Sequence, residues 1–470
     1  MKAVASVCGR AGLKVYLVGG VVRNLMLGCR AQPDYDFVIL GGVARVAAAI
    51  ARRLKGSAFI LDKEAPSYRV VFRKGGRQVT IDLSPVKAFG VKADIVADLR
   101  GRDFTIDAMA VDLREIAAGG QVCVIDPCNG MEDAKAGLVA AVSERVFKDD
   151  PLRMLRAVRL AVQYGLTITD DTVRLIKADA GLLANVSVER IRAELVAILE
   201  CKGASASVMA LYDLGLIGAI IPQMKDWEDL AGYDILGHTL KALDAAELLL
   251  DNMDEESFGP YHARLKRHFA RSVGGVKRSV WFMLAVLLHD IGKPAAMTIE
   301  AGRLRFYGHD HEGAAATAAA LRRLKFSSRA CAAISTLVRC HHRVFGLAGL
   351  VCPSARAKAH LLRSVGADLG LDLLCLALAD AHATRGGQDP ELSAVVREMF
   401  RFYYETYLKK PPGPVMNGAE VMKTFGVAEG PAVGKILAKI AEGVESGAVR
   451  TKKEAAAFVR KWLKAGTESG

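Results

Sequence analysis

Tyr16-Leu17-Val18-Gly19-Gly20-Val21-Val22-Arg23-Asn24, followed by Asp34-Tyr35-Asp36-Phe37-Val38-Ile39, decides the reading of this chain. An apolar strand enters a glycine turn with an arginine behind it, and a second strand then carries two carboxylates. Side chains alternate along a strand, so Asp34 and Asp36 share one face and Tyr35 takes the other. Like charges held side by side repel, and a fold tolerates this best where a divalent cation sits between them. Gly19 and Gly20 let backbone N–H groups come close to an anion, and Arg23 offers phosphate oxygens a guanidinium fork. Metal beside a cradled triphosphate points to nucleotidyl transfer.

The 470 residues, 51% of them hydrophobic, suffice for two to four domains with full cores. The net charge of +13 comes from Lys and Arg spread along the chain, which favours a polyanionic partner, with nucleic acid ahead of a membrane surface. Mean hydropathy is +0.21, yet no apolar run approaches the roughly 20 residues of a membrane span. The clearest candidate, Val280 to Leu288, is short and ends in His289-Asp290. No signal-peptide pattern is read at the start. Nine cysteines without a CxxC pair argue against a disulfide framework and for a reduced, cytoplasmic setting.

Residues 13 to about 130 mix β-rich runs with turns: Val15–Val18, Phe37–Leu40, Ala58–Leu61, Arg69–Phe72, Val79–Leu83 and Met109–Leu113. One clear helical stretch, Val43–Leu54, lies among them, so this part reads as α+β. From Asp150 onward the spacing is helical almost everywhere, with Leu155, Val158 and Val162 forming one apolar face. A second helical block runs from about Gly232 to Arg385, and its charged stretch Asp251 to Arg278 reads as a solvated connection. Gly386-Gly387-Gln388-Asp389-Pro390 marks another boundary, before a helical tail. The expected domains are 1–140, 141–228, 229–386 and 387–470.

Further motifs follow in order: Arg102-Asp103-Phe104-Thr105-Ile106-Asp107, Asp126-Pro127-Cys128-Asn129-Gly130, Asp149-Asp150-Pro151-Leu152-Arg153 and Ser187-Val188-Glu189-Arg190. Asp150, Arg153, Arg156 and Arg159 recur every three residues along one arc of a helix, with Asp150 as cap and Pro151 in its first turn. An aspartate that accepts and an arginine that donates could together read the edge of a base without a template. Taken singly, these are an ordinary turn, a solvated loop and a surface salt-bridge ladder. Together and in this order they resemble the class II tRNA nucleotidyltransferase and bacterial poly(A) polymerase family.

That resemblance implies a polymerase-β-type nucleotidyltransferase head with all-α neck, body and tail regions behind it. It assigns Asp34 and Asp36, with Asp82 as a third carboxylate, to Mg²⁺ and catalysis. Gly20, Arg23 and Arg102 are expected at the triphosphate, and Asp150 and Arg153 at the base, with Arg156 and Arg159 nearby. The chain departs from the family pattern at Asn24, where Asp is usual, at Gly101, where Arg is usual, and at Asp107, where Asn is usual. None of these removes an expected metal ligand.

Trp281-Phe282-Met283-Leu284-Ala285-Val286-Leu287-Leu288 runs straight into His289-Asp290, a costly pair to bury unless partnered or bound to metal. With His238, His309, His341-His342 and Asp380, the order resembles the HD phosphohydrolase family over about Gly232 to Arg385. The resemblance makes His238, His289, Asp290 and Asp380 metal ligands. It places His309 and His342, or His341, along the site or at a second ion. Ni, Co, Mn, Fe and Zn all suit this donor set. His262, His268, His311 and His382 read as surface or neighbouring residues.

The expected substrates are tRNA, CTP and ATP, giving CCA addition, with phosphoester hydrolysis by the second site. Addition of CC alone, addition of A alone, and poly(A) synthesis are the alternatives. The segments Ala58–Lys63 and Tyr68–Val71 do not resemble the basic segment of poly(A) polymerases, which favours tRNA. An RNA-binding HD phosphatase is the reading from another class. Arg264, Lys266, Arg267, Lys409, Lys410, Lys452, Lys453, Arg460 and Lys461 are candidate phosphate contacts.

Overall fold

The computed structural model describes the chain apart from residues 30–33, 63–65, 87–93, 120–121, 226, 228–229, 351–352, 410–413 and 468–470. It forms two units, one of residues 1–201 and 210–220, the other of residues 202–209 and 221–470. Lys410 lies outside the described residues.

The first unit is built on a seven-stranded mixed sheet in the order β3-β4-β5-β2-β1-β6-β7. The strands are β1 (Val15–Val18), β2 (Asp34–Ile39), β3 (Ser57–Asp62), β4 (Ser67–Lys74), β5 (Arg77–Pro85), β6 (Ala110–Asp112) and β7 (Val124–Ile125). Every pairing is antiparallel except β2 with β5. α1 (Lys2–Arg10) and α3 (Val43–Leu54) close one face, where Leu17, Phe37, Val70, Ile81 and Leu83 meet Val4, Val46 and Ile50 in the core. The other face is covered only in part, by Ile95 and Leu99 of α4 (Ile95–Arg100) on Tyr16, Val18, Val38 and Ala110. The carboxylate-bearing face is therefore left accessible. α2 (Gly20–Met26) follows β1 directly.

Every β-rich run read from the sequence contains a strand, with the ends displaced by a few residues. α1, α2 and α4 were not anticipated, because each is short and its helical pattern spans about two turns. The helix expected to start at Pro151 instead spans Arg153–Tyr164; Asp150 caps the preceding turn, its Oδ1 accepting from the Leu152 N–H at 3.3 Å. Leu155 and Val158 of that helix are buried as its spacing predicts.

The second unit is helical, with two small hairpins. All the residues of the helix Arg278–Leu288 except Ser279 are buried. The stretch Asp251 to Arg278 is not the solvated connection expected from its charge. It holds the helix His262–Ala270, which buries Leu265, His268 and Phe269. Arg278, 2% exposed, forks onto Asp372 at 2.8 and 2.9 Å, and His268 Nε2 meets the same carboxylate at 2.8 Å. His268 is thus a core residue, and the charge pattern misled because two of its groups, His268 and Arg278, share a buried partner in Asp372. The tail packs around Val421, Ile436, Ile440, Val449 and Val459.

In the first unit the motif Asp126–Gly130 fixes the turn that carries Asp107. The Asp126 carboxylate accepts from the Gly130 and Met131 N–H groups at 2.8 and 2.9 Å. A Cβ on Gly130 would lie 2.1 Å from the Thr105 carbonyl oxygen, a backbone clash that no side-chain movement relieves. Gly130→Ala should destabilise the first unit by about 2 kcal/mol or more, seen as a lower denaturant midpoint by circular dichroism.

Candidate functional site

β1 ends at Val18, and the chain turns at Gly19 with φ +67°, a left-handed conformation that glycine adopts without penalty. A Cβ there would sit 3.3 Å from both Asp36 Oδ2 and Arg102 Nη1, so small size is required as well as backbone freedom. The register then assembles a row. Asp36 stands opposite Val18 on β1 and opposite Asp82 on β5, while Asp34 stands opposite Thr80. Asp34 and Asp36 share the open face, as alternation requires, and Asp82 lies beside Asp36.

Burial first, then the charges of Asp82, Asp107 and Asp34, push the Asp36 carboxyl up to about 6, with Arg102 opposing. Arg69 grips Asp82 with two parallel bonds of 2.8 and 2.7 Å. Oxygen-only donors bearing this much repulsion suit a hard divalent cation such as Mg²⁺. Among the described residues these three carboxylates are not drawn into a group as tight as the histidine clusters below.

Arg23, expected at the triphosphate, is engaged by side chains of its own unit. It is 8% exposed, and its Nη1 donates to Asp107 Oδ1 at 2.6 Å, its Nη2 to the Tyr164 hydroxyl at 2.8 Å, and its Nε and Nη2 to Asn24 Oδ1 at 3.3 and 3.2 Å. With these donors engaged inside the protein, Arg23 braces the turn. Gly20 packs against the same guanidinium. Arg102 is held more loosely: its Nη2 lies 3.4 Å from Asp98 and its Nη1 donates to the Asp107 carbonyl at 3.4 Å, and its buried Nε has no hydrogen-bond partner among the described residues.

Two departures from the family pattern meet on Arg23. Asn24 brings it an amide oxygen, and Asp107 brings the carboxylate. Arg23 thus takes its negative partner from Asp107 and a neutral acceptor from Asn24.

Farther along the same face, Val38 and Ser84 stand opposite each other one pleat beyond Asp36 and Asp82. They line a cavity of about 350 Å³ with Arg102, Asp103, Asp150, Arg153 and Arg156. A second cavity of about 1100 Å³ shares Gly101, Asp150, Arg153 and Arg190 and adds Arg100. Asp150 Oδ2 accepts from Arg190 at 2.8 Å. Arg153 donates to the carbonyl oxygens of Gly101 and Val146 at 3.3 and 3.4 Å.

Arg156 bonds Asp103 at 2.7 Å. Although burial opposes it, the charges of Arg156 and Arg153 hold the Asp103 carboxyl below its usual range. Arg159 is tied to Glu194 at 2.8 Å and lines neither cavity. Sequence reasoning gave no role to Arg69, Asp103, Tyr164 or Arg190. Asp103 and Arg190 stood inside quoted motifs, whereas Arg69 and Tyr164 carried no local signal.

In the second unit, His238, His289 and Asp290 form one potential metal group and His309, His341 and His342 another, with ligand atoms in each within 4.8 Å of one another. His289, His309 and His341 each place Nδ1 2.6–2.8 Å from the carbonyl oxygen three residues earlier (Val286, Phe306 and Val338). That arrangement fixes the ring and leaves Nε2 as a lone-pair donor. The Nε2 atoms of His238 and His289 face each other at 3.1 Å, and those of His309 and His342 at 3.0 Å. Asp290 lies between the groups, Oδ2 at 3.2–3.4 Å from His289 and His238 and Oδ1 at 3.7–3.8 Å from His309 and His341. Asp380 completes the first group at 3.3 Å from His238. The sequence offered His341 and His342 as alternatives; the structure brings both to the cluster.

Burial opposes charge on His289, but Asp290 and Asp380 raise it to about 9. Burial and the neighbouring His289 and His342 charges lower His341 to about 3. Lys293 Nζ lies 2.6 Å from Asp290 and from the Tyr233 hydroxyl. The chemistry of the donor set, with its imidazole lone pairs aimed inward, fits a transition metal.

Of the candidate RNA contacts, Arg264, Lys266, Arg267, Lys409, Lys453, Arg460 and Lys461 are exposed, and Lys452 is paired with Glu420.

A carboxylate row on this mixed sheet, next to a cationic cleft of nucleotide size, defines a nucleotidyltransferase. Three family models match: the poly A polymerase head domain over residues 15–140, the probable RNA and SrmB-binding site of polymerase A over 165–228, and the HD domain over 235–385. The A-adding tRNA nucleotidyltransferase of Deinococcus radiodurans is 33% identical, covering 95% of each chain. The CC-adding tRNA nucleotidyltransferase of Thermus thermophilus is 32% identical over 95% of this chain and 93% of that one. The solved Thermotoga maritima CCA-adding enzyme complexed with tRNA-CCA shares the fold at a TM-score of 0.64 and 22% identity, covering 98% of this chain and 94% of that one. The chain belongs to the tRNA nucleotidyltransferase and poly(A) polymerase family.

Asp107→Asn should cost about 3–5 kcal/mol by leaving Arg23 buried without a counter-charge. Asn24→Asp combined with it should recover most of that loss in thermal unfolding, whereas Asn24→Asp alone should not stabilise. In metal analysis of the purified protein, Asp290→Ala should abolish transition-metal binding at both histidine groups, and Asp380→Ala only at the His238 group.

Proposed function

We propose that this protein builds the CCA sequence at the 3′ end of tRNA from CTP and ATP without a template. The observation that carries this reading is the Asp36–Asp82 row one pleat from the cleft holding Asp150, Arg153 and Arg102. Carboxylates that would hold the metal and groups that would read the base share one face, which supports this reading. The activities named for the relatives from Deinococcus, Thermus and Thermotoga support the substrate.

Asp34, Asp36 and Asp82 would hold Mg²⁺, which when bound supplies charge neutralisation at the triphosphate and acidifies the RNA 3′-hydroxyl. The 3′ oxygen attacks the α-phosphorus, the bond to the bridging oxygen breaks, pyrophosphate departs and the hydroxyl proton leaves to solvent. Arg102, beside Asp36, meets the charge that develops on the leaving group. Arg23 and Asp107 hold the glycine turn against which the phosphates lie. Asp150 accepts and Arg153 donates at the edge of the base, with Arg190 holding Asp150 in place.

The domain limits we propose are 1–140 for the head, 141–228 for the base-selecting and RNA-binding neck and body, 229–386 for the HD domain and 387–470 for the tail. Exposed Arg264, Lys266, Arg267, Lys409 and tail lysines would grip tRNA phosphates. His238, His289, Asp290 and Asp380, with His309, His341 and His342, would hold a transition metal of the Ni, Co, Mn, Fe or Zn series, whose contribution when bound is to polarise a phosphoester for hydrolysis. No described helix is long and apolar enough to cross a membrane, and we place the protein in the cytoplasm.

One observation favours a second reading. The relatives that match nearly the whole chain from Deinococcus and Thermus are named for adding A alone and CC alone, so partial addition is the alternative. Incubation of tRNA lacking the CCA end, tRNA ending in CC and tRNA ending in CCA, with CTP and ATP singly and together, decides between them. Full CCA addition requires both nucleotides on the shortest substrate; growth by CC only, or extension of the CC-ended tRNA only, selects the second reading.

Asp36→Asn should abolish extension. It should also raise the unfolding temperature of the metal-free protein. Because the folded Asp36 carboxyl titrates near 6, above its ordinary value of 3.8, its protonation stabilises the fold and that stabilisation is lost as pH rises through about 6. The gain from Asn should therefore grow from about pH 4 to about pH 6, by about 1.4 kcal/mol for each tenfold fall in proton concentration, and level off above that.

A further inference from the structure

The edge strand β3 presents large apolar side chains that the core does not take up. Phe59 is 55% exposed, Ile60 55% and Leu61 48%. Alternation separates the first two. Ile60 pairs with Tyr68 and Tyr68 with Leu83, on the face that α1 and α3 cover. Phe59 pairs with Arg69, Arg69 with Asp82, and Asp82 with Asp36. Phe59 therefore stands in the same row and on the same face as the carboxylates. At one strand spacing per step it lies about 10 Å from Asp82 and about 14 Å from Asp36. Arg69 fills the interval, and exposed Arg73 lies on the same face farther along β4.

An unburied aromatic ring next to guanidinium groups, in line with reacting carboxylates, has the properties a single-stranded RNA end requires. Bases stack on such rings regardless of sequence, and phosphates pair with the neighbouring cations. The geometry also leaves room for both substrates. The cleft lined by Val38, Ser84 and Arg102 runs along the strands from the carboxylates, whereas Phe59 lies across the strands from them. The incoming nucleotide and the RNA end thus reach the same row from different directions. The competing occupant of an exposed edge is a strand from a second copy of this chain. The register of β3 shifts between Ile60 and Asp62, and such a bulge disrupts the regular ladder that strand addition requires.

We propose that Phe59 is the stacking platform for a base near the growing 3′ end of the RNA, with Arg73 pairing with an adjoining phosphate, so that the terminal hydroxyl is presented at Asp82 and Asp36. This rests on the tRNA-extension reading above and assigns a substrate contact within it. The test uses the full chain and a tRNA transcript that lacks its terminal CCA. Phe59→Ala should raise KM for the tRNA about tenfold, the usual yield of one base–aromatic stack, with KM for CTP and ATP unchanged and kcat within about twofold. Phe59→Trp should keep the wild-type KM, and Ile60→Ser, equally exposed on the opposite face, should leave all constants unchanged. An unaltered tRNA KM in Phe59→Ala overturns the proposal, as does a change in sedimentation from dimer to monomer in that variant with tRNA KM preserved. A wild-type protein that extends no tRNA overturns the underlying reading instead, so the two failures are told apart.

Discussion

The head of this protein is organised around a repulsion. Parallel pairing of β2 with β5 sets Asp36 directly beside Asp82, with Asp34 one pleat away, and the low-dielectric side of the sheet raises the cost of holding them together. The surroundings divide that cost. Arg69 takes up Asp82 from the outside, and Arg102 approaches Asp36 through the space that Gly19 leaves open. The remaining cost falls on Asp36, whose carboxyl burial and the neighbouring Asp82 charge push upward. Stability is given up at the row where we propose the metal is held.

The arginines sort by the strength of their bonds. Arg23 and Arg156 are absorbed into ion pairs with Asp107 and Asp103, and they make the turn and the helix start rigid. Arg102 and Arg153 make longer bonds of 3.3–3.4 Å, several of them to carbonyl oxygens. Long bonds to neutral acceptors are weak, so these two are the cations that can re-aim toward an anion without breaking a strong pair. Asp107 supplies the carboxylate that keeps Arg23 on the structural side of this division.

The histidine site in the second unit solves a different problem. A helix as apolar as Arg278–Leu288 ends in a buried imidazole and carboxylate. The backbone carbonyls three residues back satisfy Nδ1 of three histidines, which orients each Nε2 inward. Asp290 then faces both groups, and Lys293 with Tyr233 closes the side toward the adjoining loop. Helix ends are well suited to this, since a side chain there can bond the last turn and still point away from it.

Much of this was legible in the sequence because it is local. Strand alternation placed Asp34 and Asp36 together, the glycine pair marked the turn, helical spacing buried Leu155 and Val158, and an apolar helix ending in His-Asp announced a partnered cluster. The sequence did not show where long side chains would find their partners. Arg23 carries the same forked group whether it meets a phosphate or Asp107, which is 84 residues away, and the charges of Asp251 to Arg278 look solvated until Asp372 is seen opposite Arg278. Phe59 and Arg69 became part of the carboxylate row only through the order of β3, β4, β5 and β2. Chemical type and short-range period are written in the chain, whereas register and ion-pair choice depend on contacts between distant residues, and only the tertiary structure decides those.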